Sequence, residues 1–205
     1  MKRRIFISAL CAAPLMTFGE IATAQNAVVD AVNTYLTNLV TATARFTQES
    51  ADGSVATGTF YLQKPGRMRF EYDPPSPAMI IADGEILAIF DRKSSRGPQR
   101  YPQSQTPLSL LTRQNIDVTR SKFVRLIETK GGKIHVTMFD PEEPDNGTMR
   151  MIFSQNPMEL VQWVIIDGAG LESVVKLGPL TKNTALDRKL FSVSWANTQI
   201  EQGKR

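Results

Sequence analysis

The sequence predicts a mainly β protein with some α: an antiparallel meander of short strands, preceded by one helix and interrupted by a second, shorter one. Three observations predict it. Apolar residues recur at helical spacing near the start and then alternate with polar residues for most of the chain. Turn pairs such as Asp83-Gly84 and Gly131-Gly132 separate the alternating runs. Successive strands follow one another through short turns with no helix between them, which points to antiparallel pairing and away from a parallel α/β sheet.

The first segment stands outside the fold. Lys2, Arg3 and Arg4 form a basic region, Ile5 to Leu15 an apolar run, and Ala22-Thr23-Ala24 a small-residue cleavage site. Residues 1–24 are expected to be a secretory signal peptide, with residues 25–205 a single exported domain. The apolar run is too short to span a bilayer. Arg3-Arg4 before Ile5-Phe6-Ile7 resembles a twin-arginine signal, but an ordinary basic region read by the Sec route is the expectation. Cys11 lies within the apolar run, where Leu10 takes the place of the small residue that lipidation needs. It is the one cysteine of the chain, so the mature domain is expected to hold no disulfide and no thiol chemistry. The formal net charge is +4. Removing Lys2, Arg3, Arg4 and Glu20 takes away three positive charges and one negative, leaving about +2, too mild to indicate a nucleic-acid partner.

Residues 26 to about 43 read as an amphipathic helix, with Val28, Val32, Tyr35, Leu36, Leu39 and Val40 at helical spacing. From Phe46 the period becomes two. Strand signals run through Phe46 and Gln48, Gly58 to Leu62, and Met68, Phe70 and Tyr72 alternating with Arg67, Arg69 and Glu71. Further strands are predicted at Met79 to Ile81, Ile86 to Phe90, Phe123 to Thr129, Lys133 to Phe139, Met149 to Ser154, Leu160 to Ile166, Leu171 to Leu177 and Phe191 to Trp195. Thr106 as N-cap, Pro107 at the first helical position, then Leu108, Leu110 and Leu111 predict a short apolar helix. Such a helix between polar, turn-rich stretches (92–105 and 112–120) can serve as a plug, a lid or a core cap.

Catalytic equipment is sparse. His135 is the only histidine and sits within an alternating strand, where a structural or solvated role is the ordinary one. No Gly-x-Ser-x-Gly elbow, Walker loop or dinucleotide fingerprint occurs. The run Asp140 to Asp145 carries two prolines and reads as a solvated loop, not a cation site. No catalytic residue, metal site or cofactor is expected. A binding surface remains: Phe60, Leu62, Met68, Phe70, Met79, Ile81, Phe90, Met138, Met149 and Met151 can form an apolar sheet face, rich in thioethers that adapt to ligands of varied shape. Which member of each strand faces inward is open at this stage, as is the choice between a ligand surface and an ordinary core.

A resemblance narrows that choice. Phe46-Thr47-Gln48, then Gly58, Phe60, Leu62, Lys64-Pro65-Gly66, Met68, Phe70 and Tyr72 on alternate positions, then Pro74-Pro75, resemble the periplasmic outer-membrane lipoprotein carrier family (LolA-type). Asp83-Gly84, Tyr101-Pro102, Pro107-Leu108 with Leu110-Leu111, and Phe153, Leu160, Trp163 and Asp167 continue it in order. The resemblance implies an incomplete, open antiparallel β-barrel with an N-terminal helix and a short helical lid over a hydrophobic cavity. It implies a carrier of lipoprotein acyl chains in the periplasm of a Gram-negative bacterium. An inner-membrane ABC lipoprotein-release complex would load it, and an outer-membrane acceptor lipoprotein or the outer membrane itself would unload it. The protein would act without catalysis, nucleic acid or cofactor, and as a monomer. A lipid- or glycolipid-binding protein of the same architecture is the alternative. On this basis Phe60, Leu62, Met68, Phe70, Met79, Ile81, Phe90, Met138 and Met151 would line the acyl-chain cavity, with Lys64, Leu108, Leu110 and Leu111 at the lid. One departure bears on mechanism. Many members carry arginine before this proline, where it hydrogen-bonds the lid, whereas Lys64 keeps the charge but lacks the planar fork.

Overall fold

A computed structural model describes residues 19–94, 96–114 and 116–203, with side chains from Asn26 onward. The export-signal readings at Lys2 to Leu15, Cys11 included, lie outside the described residues. Helix α1 (Gly19–Asn38) leads into strands β1 (Thr41–Glu49), β2 (Val55–Gln63), β3 (Arg67–Tyr72), β4 (Ala78–Asp83), β5 (Ile86–Asp91) and β6 (Gln99–Pro102). Helix α2 (Leu108–Leu111) follows, and then β7 (Val124–Lys130), β8 (Lys133–Phe139), β9 (Thr148–Gln155), β10 (Met158–Ile166), β11 (Glu172–Leu177) and the short β12 (Thr181–Lys182). Helix α3 (Val193–Gln202) ends the described chain.

The strands form one 12-stranded antiparallel sheet in the order β6-β5-β4-β3-β2-β1-β11-β10-β9-β8-β7, with β12 beside β1. The order is two meanders joined where β1 meets β11, Phe46 opposite Leu177. Its outer strands, β6 and β7, do not pair with each other, so the sheet is open, as the resemblance implies. Turn chemistry matches the sequence. Gly131 and Gly132 both adopt positive φ (58° and 72°), the left-handed geometry that a two-residue hairpin between β7 and β8 requires.

Several elements differ from expectation, among them β6, which forms within the stretch 92–105 read as turn-rich, and the unanticipated β12. The first helix was expected to reach about residue 43, but it ends at Asn38. Val40 turns its N–H to the side chain of Asn183 (3.1 Å), and the β-branched Thr41 and Thr43 enter the ladder with β2 and β12. The strand expected at Phe191 to Trp195 is helical. Arg188–Phe191 forms a 3-10 turn, and the Ser192 hydroxyl accepts the Trp195 N–H (3.2 Å), capping α3. Thr106 does not cap α2 through its side chain; its hydroxyl donates to the Gln103 carbonyl (2.9 Å), and Pro107 takes the capping position.

Both sheet faces are covered where the chain is continuously apolar. Helices α1 and α2 lie on one face, here the inner face, and α3 lies on the other. Val32 and Leu36 of α1, and Leu39 just past its end, continue the helical spacing and are 0–2% exposed against the inner face.

Candidate functional site

Cross-strand register builds the inner face, because residues directly opposite in a ladder share a face. Ala44 pairs with Phe60, Phe60 with Phe70 and Phe70 with Ile80; Leu62 pairs with Met68 and Met68 with Ala82. On the other meander Val175 pairs with Trp163, Trp163 with Met151, Met151 with Val136, and Met149 with Met138. The two halves meet through aromatic side chains. Phe60 lies 5.0 Å from Phe70 and 5.1 Å from Trp163, and Phe46 packs edge-on to Phe70 (5.3 Å) and Tyr72 (5.1 Å). Phe46 fits there because its partner is Gly58. A Cβ at Gly58 would stand 2.6 Å from the Phe46 ring and 2.2 Å from the Glu71 carbonyl oxygen.

Six of the nine residues expected to line the cavity come together in this cluster: Phe60, Leu62, Met68, Phe70, Met138 and Met151, along with Met149. Met79, Ile81 and Phe90 do not join them. Met79 pairs with Glu71 and Phe90, and Ile81 with Arg69 and Ala88, so their side chains point to the outer face. There they pack beneath Val193 and Ala196 of α3. The inner face takes Ile80, Ala82, Leu87 and Ile89 instead. A signal for this was present. Met79 to Ala82 and Ile86 to Phe90 are continuous apolar runs, the pattern of strands buried on both faces.

Helix α2 delivers Leu110 and Leu111, 2% and 0% exposed, to the inner cluster, with Leu108 partly buried beside them. Lys64 was expected at the lid; its partner is α1. The buried ammonium donates to the Leu36 carbonyl (3.0 Å), in the last turn of a helix with no basic residue of its own there. That carbonyl is one of those a helix end leaves without an intrahelical partner. Burial lowers the Lys64 pKa from 10.5 to about 8. What holds α2 is Gln103, which the sequence reading missed. Its amide NH₂ donates to the Gly66 carbonyl (2.8 Å) and the Thr112 hydroxyl (3.1 Å), and its oxygen accepts the Gly84 N–H (3.1 Å). A buried glutamine amid turn residues leaves no periodic trace in sequence. Ile116 and Val118, also unanticipated, complete the cover, and Asn33 of α1 accepts the Val118 N–H (2.7 Å).

Polar groups near this face are mostly paired. Tyr72 donates to Gln48 (2.6 Å) and Tyr35 to Glu159 (3.1 Å); burial pushes the Tyr72 phenol up to about 12. His135 is half-buried on the outer side of β8, opposite Glu128 and Ile152. Within the acidic loop Asp140 lies 3.8 Å from Arg113, and Glu142 pairs with Lys122. Among the described residues no group of three or more His, Cys, Asp or Glu is placed to hold a metal ion, and no helix is long and apolar enough to cross a membrane. A groove of about 430 Å³ opens along the edge of α1, between Ala31, Tyr35 and Leu39 on one side and Met158 and Lys182 on the other.

The family model described as "Outer membrane lipoprotein carrier protein LolA" matches residues 37–194. An outer-membrane lipoprotein carrier protein of Pseudomonas paraeruginosa is 27% identical over 200 residues, covering 93% of this chain and 92% of that protein. One from Cupriavidus taiwanensis is 26% identical over 202 residues, covering 93% and 94%. Among solved structures, a LolA superfamily protein from Nitrosomonas europaea superposes with a TM-score of 0.43 at 11% identity, covering 82% of this chain and 96% of that one.

Proposed function

The chain belongs to the outer-membrane lipoprotein carrier family, and on that premise we propose that it carries lipoproteins across the periplasm with their acyl chains against the inner face of the sheet. One observation carries the reading. Phe60, Leu62, Met68, Phe70, Met138 and Met151 form one apolar surface, 0–3% exposed, beneath two helices that are held to it in part by a few polar contacts. Each methylene kept from water is worth about 0.8 kcal/mol, so acyl chains cannot cross an aqueous compartment unshielded. Displacing α1 and α2 would exchange helix side chains for acyl chains on the same face. Methionine suits that exchange, since an unbranched thioether repacks against chains of different length.

The carrier reading brings its partners with it. An inner-membrane ABC lipoprotein-release complex loads the protein, and an outer-membrane acceptor lipoprotein, or the outer membrane itself, takes the cargo by holding it more tightly. The protein binds without transforming its cargo. The mature chain, residues 25–205, reaches the periplasm after removal of residues 1–24.

Mixing the purified mature protein with a triacylated lipoprotein in detergent-free buffer tests this. A soluble one-to-one complex is expected on gel filtration. Amide exchange should quicken in α1 and residues 108–118 while β1 to β3 stay protected. Absence of any complex sinks the proposal, and co-purified free lipid or glycolipid found by mass spectrometry in its place would favour a lipid-binding module of the same architecture.

A further inference from the structure

Among the described residues, four buried side-chain atoms have no hydrogen-bond partner: Gln63 Oε1, Arg113 Nε, Arg150 Nε and Trp163 Nε1, the last set in the aromatic cluster of the inner face. Trp163 in β10 is 0% exposed, and its indole Nε1 has no hydrogen-bond partner. Its neighbours across the ladders are Met151 and Val175, and its ring packs edge-on against Phe60 (5.1 Å) and Phe70 (6.1 Å). None of these side chains offers an oxygen or nitrogen acceptor. Other polar side chains at this face are satisfied: Tyr72 by Gln48, Tyr35 by Glu159, Lys64 by the Leu36 carbonyl. Buried indole N–H groups normally find a partner, and leaving one unmade costs about 1–3 kcal/mol. Phenylalanine would fill much of this space without that cost.

We infer that Trp163 is a specificity-determining residue whose indole N–H donates to the carbonyl oxygen of an acyl ester or amide seated on the inner face. This rests on the carrier reading and deepens it. Hydrocarbon tails offer no acceptor and slide freely along an apolar surface. The carbonyl at the head of each chain is the one strong acceptor that an acyl group brings with it. A donor fixed in a central strand and surrounded by apolar side chains would set how deep that carbonyl sits. It would also favour acyl over alkyl chains. The acceptor repays a desolvation that Trp163 has already incurred, so little of the new hydrogen bond is offset by stripping water from the indole.

The test uses the full mature protein, its Trp163→Phe variant, and two lipids alike in chain length: a diacylglycerol and its dialkyl-ether twin. Wild-type protein should bind the diacyl lipid about five- to tenfold more tightly, the fold-change of one hydrogen bond. The variant should bind both lipids alike, with the affinity wild type shows for the ether. In ¹⁵N spectra of the two tryptophan side chains, the signal missing from the variant should shift when wild type binds the diacyl lipid and stay in place with the ether. If Trp163→Phe fails to fold, a Trp195→Phe variant at the exposed second tryptophan assigns the two signals by elimination, so the measurement stands. Equal binding of the two lipids by wild type, or an indole signal indifferent to the ester, overturns the role of Trp163 and leaves the carrier reading intact. Failure of folded wild type to bind either lipid removes both.

Discussion

Lys64 shows how one side chain couples a cover to the medium. Its ammonium completes the carbonyl end of α1, where a cation is favoured, yet it does so at 7% exposure. Burial lowers its pKa from 10.5 to about 8, so the folded protein releases this proton before the unfolded chain does. Between those values the unfolded state binds more protons, and stability rises with pH. Below about pH 8 the ammonium is charged in both states and the folded state bears the full cost, about 3 kcal/mol. The urea midpoint of the wild-type protein should therefore climb from about pH 7 to about pH 10 relative to Lys64→Met, in which this slope disappears. Parallel pH profiles for the two proteins would show that Lys64 is not the group responsible. Lys64→Leu should also change lipoprotein uptake and release, because it removes the contact from the turn after β2 to α1; unaltered transfer would dissociate Lys64 from closure.

At the scale of elements, α2 is four residues long and cannot persist by itself. Its place depends on two leucines inward and on the Gln103 amide behind it, which clasps the turns at Gly66 and Gly84. Gln103→Leu should lower stability by about 0.5–1.5 kcal/mol, since it removes hydrogen bonds from part-buried backbone groups. The loss should be local, read as faster amide exchange at Gly84 and through α2 with β9 and β10 unchanged. A uniform rise across the sheet would contradict a clasp specific to this segment. Helix α3 makes the complementary point. Its apolar stripe, Val193, Ala196 and Ile200, covers the outer surface of β4 and β5, which is why those strands are apolar on both sides.

The whole molecule is a sheet left open at two edges, and open edges invite pairing with other chains. The chain manages both. Strand β6 is short, exposed and ends at Pro102, while β7 presents Arg125, Glu128 and Lys130 along an exposed strand. Replacing those three β7 residues together with threonine should produce concentration-dependent oligomers on gel filtration, whereas the wild-type chain should elute as a monomer at every concentration. A variant that stays monomeric would mean that something other than charge protects this edge.

Much of this was legible in the chain itself. Period-two alternation and glycine turns pointed to most of the strands and to their antiparallel pairing, because both are local consequences of the pleat and of turn geometry. Motif order from Phe46 to Asp167 pointed to the family. The sequence did not decide which face each strand turns inward. Met79, Ile81 and Phe90 look like Met68 and Phe70 until the register of β3 against β4 sends them to the outer face, under a helix whose sequence resembled a strand. Nor did it reveal Gln103 or the unpartnered indole of Trp163, since a hydrogen bond made or missing depends on residues far apart in the chain. Local patterns specify elements; only the packed sheet, where each side chain meets neighbours from distant strands, decides what each face can hold.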